Sequence, residues 1–588
     1  MSVMETVRPR VLRPPKDKKR RRLQLVGLAV IALFGVALWQ TGFTPWNVWG
    51  RMDSVVNLID RMMPPSFVDW QRYVVAVIET LWMVLAGTAI ALVLAVPVSA
   101  LAARNITTGP VAYNICRFII TLTRAVPSLV FALIFVRAIG VGPTAGVLAM
   151  GISSIGMIGK FFADRIEEID MGIVEASRAS GATRIQTFFS AVLPQVMTNW
   201  ISLSLYRIDI NLRSAVILGF VGAGGIGLEL QRVQGQMVYT RVMAIAIIIF
   251  VLVLLTERLS AMARAAVLGR EAPAKENPFS LRAMYRGLTA RRAGRGGAAP
   301  LGAAQAGARD ADLQRARTPA WRRPKAEGRI SVGWDVFRLR RWIMGVSAVV
   351  LTVGSFVLLG FGPVQLIAAI QDIVPYVVSM FPPDFVTNFT RHLDLMLETI
   401  WMALAATVLG LIISLPIGIL GAKNATFHPI AEKLARFSTV VVRGMPELII
   451  AVLLVVAFGM GPLAGVLALT IGSIGLAGKL IADTIEDTDL SKQNEAMRAV
   501  GSSWLQRTVT STIPTVMPGI VGVGLYMFDV FVRAATVMGI VGAGGIGLAL
   551  DASIRGRQMD QTLALIIMIF ITVYATERFS GWLRRQIL

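Results

Sequence analysis

Apolar residues run along this chain in blocks too long for strands, separated by short polar stretches. Residues 23–39 read LQLVGLAVIALFGVALW, 242–256 read VMAIAIIIFVLVLLT, and 563–575 read LALIIMIFITVYA. A helix needs about 20 apolar residues to cross a hydrocarbon core of about 30 Å. In lipid, only helices and closed barrels satisfy every backbone polar group. The pattern predicts spans near 23–42, 73–100, 113–139, 141–163, 191–221 and 240–258. It predicts six more near 342–361, 392–420, 434–458, 460–482, 512–541 and 561–580. The fold class expected is an all-α polytopic membrane protein.

The second set of spans repeats the first. ETLWM at 79–83 returns as ETIWM at 398–402, and Arg124-Ala-Val-Pro127 returns as Arg443-Gly-Met-Pro446. GPTAGVLAMGISSIGMIGKFFADRIEEID (142–170) returns as GPLAGVLALTIGSIGLAGKLIADTIEDTD (461–489), and TER at 256–258 returns at 576–578. The expected organisation is a basic N-terminus (1–22), a first repeat (23–260), a basic flexible linker (261–341) and a second repeat (342–588). An even number of spans makes the repeats parallel, related by a pseudo-two-fold axis along the membrane normal, with a pathway expected at their interface.

Composition sharpens this picture. Only 16% of residues are charged and 55% are hydrophobic, with mean hydropathy +0.66, which excludes an ordinary soluble domain. The net charge of +23 gathers in RPRVLRPPKDKKRRR before the first span and in the segment 258–341. In a soluble protein that charge would suggest nucleic acid. Flanking spans, it follows the positive-inside rule instead, so the bilayer is the expected partner and nucleic acid is not. The N-terminus, segment 165–190 and the linker then face the cytoplasm. The first apolar run is long and is followed by WQTGFTPW, which does not read as a cleavage site. One cysteine, Cys116, and two distant histidines, His392 and His428, make no disulfide, metal site or catalytic cluster expected.

FVGAGGIG (220–227) and IVGAGGIG (540–547) carry the spacing of a dinucleotide-binding loop through Gly222, Gly224, Gly227 and Gly542, Gly544, Gly547. That chemistry needs a preceding strand and an acid about 20 residues on. Here a helical run from Leu193 precedes the glycines, and Ile247 and Ile567 lie where the acid should be. Two compatible readings remain. Gly222, Gly224, Gly225, Gly227, Gly542, Gly544, Gly545 and Gly547 form a tight, half-buried turn, or the paired loops narrow the outer mouth of a pathway. The Gly159-Lys160 and Gly478-Lys479 pairs are not P-loops. Ser154 and Ser473 stand where the first glycine belongs, and Phe161 and Leu480 where a serine or threonine belongs. No ATPase or other cofactor site is expected in this chain.

Charges inside spans are costly and therefore candidates for function. Arg124 and Arg443 sit near the middle of the third spans, each followed by a proline that can kink the helix. They either meet an oxyanion through bidentate hydrogen bonds or pair with Glu79 and Glu398. Asp209 with Arg213, and Asp529 with Arg533, are four residues apart. They either neutralise each other on one helix face or turn their arginines to the cavity. Lys160 and Lys479 either snorkel or line an inner exit. Ser153, Ser154 and Ser473 offer hydroxyls to an anion or to helix packing. Arg207, Asn211 and Glu229 align with Met527, Phe531 and Ala549, so the cavity cannot be perfectly two-fold.

Two further segments match: EASRASGATRIQTFFSAVLP (175–194) and EAMRAVGSSWLQRTVTSTIP (495–514). Each predicts a short helix starting around the glutamate, a sharp turn at Gly181 or Gly501, and a second helix, with the glutamate near a positive helix end. The pattern resembles the E-A-A…G…I-x-L-P coupling loop of bacterial ABC-importer permeases, which docks on an ATPase subunit. Glu175, Ala176, Gly181, Leu193 and Pro194 match in the first copy, and Glu495, Ala496, Gly501 and Pro514 in the second. Ser177, Ala191, Met497, Ser511 and Ile513 depart from it. With SSIGMIGKFFADRIEEID and LYRIDINLRSAVILGFVGAGGIG, most of both halves is similar to the phosphonate-transport permease subfamily.

That resemblance implies two fused type I-like permease repeats in a bacterial inner (plasma) membrane. It implies import of phosphonate, phosphate or phosphite, with two copies of a separate ATPase carrying ATP and Mg, and an extracytoplasmic binding protein delivering the anion. An ion-gradient-driven secondary transporter also fits two six-span halves, but leaves the paired knobs unexplained.

Overall fold

Proline and glycine decide where the long apolar runs break. The computed structural model describes residues 18–268 and 336–587; the basic N-terminus through residue 17 and the linker residues 269–335 lie outside them. In the first repeat, besides a single turn at Pro45–Trp49, the helices are α1 (Lys18–Gln40), α2 (Met52–Met62), α3 (Trp70–Ala102), α4 (Pro110–Ala125), α5 (Ser128–Ile139), α6 (Pro143–Glu167), α7 (Met171–Ala179), α8 (Arg184–Thr187), α9 (Leu193–Leu218), α10 (Gly225–Gly235) and α11 (Tyr239–Leu268). The second repeat supplies α12 (Val336–Leu358), α13 (Pro363–Val378), α14 (Phe389–Gly421), α15 (Pro429–Gly444), α16 (Glu447–Phe458), α17 (Pro462–Asp487), α18 (Ser491–Ala499), α19 (Trp504–Arg507), α20 (Ile513–Ile540), α21 (Ile546–Arg555) and α22 (Met559–Ile587). No strand occurs among the described residues.

Among the described residues, one compact unit takes those up to 262 and from 354 on, and so holds most of both repeats; the described residues 263–268 and 336–353 belong to a second and are helical. Seven helices are long and apolar enough to cross a bilayer, or up to ten if each bent pair is one span. The expected first spans are helices too, but their apolar stretches, Val30–Gln40 and Gly345–Leu358, are shorter.

The third spans break at the prolines that the sequence marks as kink sites. Each is a bent pair, α4 with α5 at 88° and α15 with α16 at 83°. Proline has no N–H to continue the helix, and the residue before it is pushed out of the α region. Val126 and Met445 accordingly take extended backbone, and Pro127 and Pro446 start the next half-helix.

At the centre of each repeat, α6 and α17 lie against α3 and α14. Their small residues permit backbone approach: a Cβ on Gly146 would sit 2.7 Å from the Ala223 carbonyl oxygen, and one on Gly475 2.7 Å from the Arg443 amide nitrogen. The repeats also embrace. α1 packs on α14, α2 on α16, α13 on α5, and α22 on α4. Arg51, ahead of α2, donates to the Phe458 carbonyl of the other repeat.

Candidate functional site

The glycine loops are buried and built. Gly222, Gly224 and Gly225 have φ of +101°, +86° and +69°, and Gly542, Gly544 and Gly545 have +89°, +85° and +76°, conformations open chiefly to glycine. Glu79 accepts from the Gly225 amide at 3.3 Å, and the Thr80 hydroxyl accepts from the Ile226 amide at 2.9 Å. In the second repeat Glu398 accepts from Gly545 at 2.9 Å, and Thr399 accepts from Ile546 at 2.8 Å. The repeated Glu-Thr dipeptide therefore caps the first turns of α10 and α21. These amides are spent on protein, so the loops make no phosphate cradle. Gly227 and Gly547 press their helices against α9 and α20: a Cβ there would lie 2.1 Å from Val216 oxygen and 2.0 Å from Thr536 oxygen. Gly222 also lines a cavity of about 350 Å³ between the repeats, with Arg137, Phe220, Asp551 and Arg555.

The caps settle where Arg124 and Arg443 do not pair. Glu79 and Glu398 serve the glycine loops, which corrects the sequence-based alternative for the arginines. Arg124 instead reaches Glu577 of the second repeat at 2.8 Å, and Arg443 reaches Glu257 of the first at 3.1 Å. The acids belong to the repeated TER motifs on α22 and α11. The arginines are 23% and 24% exposed, so the two pairs occupy equivalent settings about the pseudo-two-fold axis. Gly156 and Gly475 make room for them, since a Cβ on either would fall within 2.9 Å of the arginine's amide nitrogen.

Asp209 and Arg213 pair at 3.1 Å, and Asp529 and Arg533 at 2.6 Å, as the spacing of four implied. One oxygen of each aspartate, Oδ1, is buried without a hydrogen bond. A cavity of about 590 Å³ brings Asp209, Arg213 and Tyr206 of α9 together with Arg443, Lys479, Asp483, Tyr526 and Arg584 of the second repeat. Its four cations still outnumber the acids when Glu257, the partner of Arg443, is counted with Asp209 and Asp483. Of the remaining charged candidates, Arg533 holds Asp529 and Arg124 holds Glu577. The serines do not open into free space. Ser153 donates to the Met150 carbonyl, Ser473 to the Thr470 carbonyl, and Ser154 to Asn211 Oδ1.

Two cavity-lining tyrosines and one half-buried acid carried a signal in the sequence that the candidate set does not include. Tyr206 and Tyr526 align across the repeats, and a tyrosine recurring in an apolar span was the available signal. Glu447 replaces Ser128 at the start of the half-helix after the bend. It holds no ion-pair partner within 4 Å among the described residues.

The two knobs lie about 39 Å of helix away from the glycine loops, at 1.5 Å per residue over the 26 residues of α9. α7 and α8 meet at Gly181 (φ +83°), and α18 and α19 at Gly501 (φ +75°), both with open space around the missing Cβ. Thr183 with Gln186, and Ser503 with Gln506, form capping boxes that start α8 and α19. The helices begin earlier than the sequence suggested: Glu175 and Glu495 are each fifth in a nine-residue helix, and Asp170 is the N-cap of α7. The glutamates thus face solvent mid-helix instead of capping. Ile173, Ile185 and Phe189 stand exposed beside Glu175, as do Val500, Leu505 and Val509 near Glu495. A π turn, Phe188–Val192 or Thr508–Thr512, leads from each knob into α9 or α20 just before Pro194 or Pro514.

Residues 95–267 and 414–588 match the family model described as "Binding-protein-dependent transport system inner membrane component". The chain is 38% identical over 555 residues to the phosphate-import permease protein PhnE of Mycolicibacterium smegmatis, covering 94% of this chain and 93% of that one. It is 40% identical over 261 residues to the phosphite transport system permease protein PtxC of Stutzerimonas stutzeri, covering 42% of this chain and 95% of that one. Among solved structures, an inward-facing MetNI methionine ABC transporter matches with TM-score 0.30 at 21% identity, over 34% of this chain and 96% of that chain.

Proposed function

Because the chain belongs to the binding-protein-dependent transport system inner membrane components and carries that domain twice, as a multi-pass ABC-importer permease of the inner membrane, we propose that it forms by itself the translocation pathway for phosphate, phosphite or a phosphonate. Its similar proteins carry names for phosphate import and phosphite transport. The observation that carries the substrate class is the net-positive cavity between the repeats, where Arg213, Arg443, Lys479 and Arg584 face two acids. Guanidinium groups suit a tetrahedral oxyanion through paired hydrogen bonds, and a low dielectric strengthens them.

In this reading two partner ATPase subunits hold ATP and Mg, and this chain holds neither. Each ATPase grips one knob through Glu175 or Glu495 and the exposed apolar side chains beside it. Closure of the ATPases tilts the knobs. The π turns and the long helices α9 and α20 pass that motion to the cavity wall. The glycine loops, braced on Glu79 and Glu398, close the outer end, to which a binding protein delivers the anion. The basic segments keep the N-terminus and linker on the cytoplasmic side.

The test is uptake of labelled phosphate, phosphite and methylphosphonate into proteoliposomes holding the permease, its ATPase and its binding protein. ATP-dependent uptake of at least one anion is expected, and Glu175→Arg with Glu495→Arg should abolish it together with ATPase co-purification. Uptake that needs an ion gradient and ignores ATP would replace this reading with a secondary transporter.

A further inference from the structure

Four arginines at the heart of the bundle hold a carboxylate: Arg124, Arg213, Arg443 and Arg533 each have one within 3.1 Å. Arg207 on α9 has none within 4 Å among the described residues. Its Nε donates to the Ser154 hydroxyl at 3.0 Å, and its Nη1 lies 2.9 Å from the Met157 sulfur. Ser154 donates onward to Asn211 Oδ1 at 3.1 Å, Asn211 Nδ2 to the Thr88 hydroxyl at 2.9 Å, and Thr88 to the Val84 carbonyl at 2.6 Å. This one-way chain fixes the guanidinium while leaving its positive charge uncancelled.

The second repeat is an internal control. Met527 and Phe531 stand at the positions of Arg207 and Asn211 and are fully buried. Ser473 and Thr407 turn back to the carbonyls of Thr470 and Ala403. The same helix packing is therefore achieved without the network, so packing does not call for an arginine. An unpaired arginine in a span is also costly on insertion scales.

Position points to the pathway. Tyr206, the preceding residue, lines the 590 Å³ cavity, and Leu476, the counterpart of Met157, lines it from the second repeat. Resting on the importer reading above, we propose that Arg207 is the anion-binding residue of the pathway, and that the transported oxyanion binds off-axis, against the first repeat. The carboxylate-paired arginines shape the field of the cavity. Arg207, with no carboxylate within 4 Å among the described residues, offers its remaining N–H groups to the anion directly.

The test uses the full complex in proteoliposomes with inorganic phosphate as probe, and expresses uptake per folded complex. Arg207→Met, which installs the second repeat's residue, should lower ATP-driven uptake by about 10- to 100-fold, the scale of one charge-assisted hydrogen bond. Arg207→Lys should recover part of it. The double variant Arg207→Met, Asn211→Phe copies the packing of the second repeat and should melt at or above the wild-type temperature while transporting as poorly. Uptake by Arg207→Met within twofold of wild type overturns the proposal, as does a loss that disappears once folded complex is counted. A wild-type complex that takes up no phosphate, phosphite or methylphosphonate with ATP would instead overturn the importer reading.

Discussion

Arg124 and Arg443 end their half-helices at a bend and find their acids in the other repeat, so each ion pair is also a tie between the halves. Such a pair contributes little in water but leaves an uncompensated charge when one member is removed in a buried setting. Glu257→Gln or Glu577→Gln should therefore destabilise the permease by about 1–3 kcal/mol, below the range for fully buried pairs because both partners keep some exposure. The charge-reversed pair Arg124→Glu, Glu577→Arg should restore most of that loss. Thermal unfolding of the purified protein in detergent checks both, and a reversed pair no more stable than the single variant would show that the tie is not ionic. Sequence alone put both arginines in the candidate set. It named the wrong acids, because Glu79 and Glu398 lie in apolar spans like the true partners and nothing local distinguishes a cap from an ion pair.

At the scale of elements, the same residue type does two jobs. Gly225 and Gly545 sit where a Cβ would meet a threonine hydroxyl at 2.4 and 2.5 Å, in addition to their positive φ. Gly181 and Gly501 share the positive φ but have open space. Gly181→Ala should then cost only the left-handed strain, about 1–2 kcal/mol, and leave the bundle intact. Gly225→Ala should cost more and loosen the start of α10. Urea or thermal midpoints of the two variants test the order, and equal losses would mean that the loop is less tightly held than the geometry states. The turn glycines, the prolines that break the third spans and the i,i+4 ion pairs were all legible, because they depend on neighbours in sequence. The helix starts of the knobs were not, since Asp170 caps α7 from five residues before Glu175, and Leu490 opens α18 with no side-chain cap to mark it.

For the whole molecule, the path of the chain places knobs and glycine loops at opposite ends of α9 and α20. Cys116 is buried, so the background for labelling is low. Ile185→Cys on the first knob should react with an impermeant thiol reagent only from the cytoplasmic side, and Val56→Cys on α2 only from the outside; both positions are exposed. Reaction of residue 185 from the outside would leave no room for an ATPase at the knob.

The duplication, the helical class, the breaks and the paired knobs were determined by the sequence itself, because periodicity, proline, glycine and a repeated register act over a few residues or copy themselves along the chain. Tertiary structure alone decided that Arg124 answers to Glu577, that α2 and α13 cross to the opposite repeat, and that Arg207 meets Ser154 and not a carboxylate among the described residues. Those outcomes depend on which side chains meet across helices far apart in sequence. A charge in an apolar span shows only that it must be satisfied, and its partner is chosen by the packing.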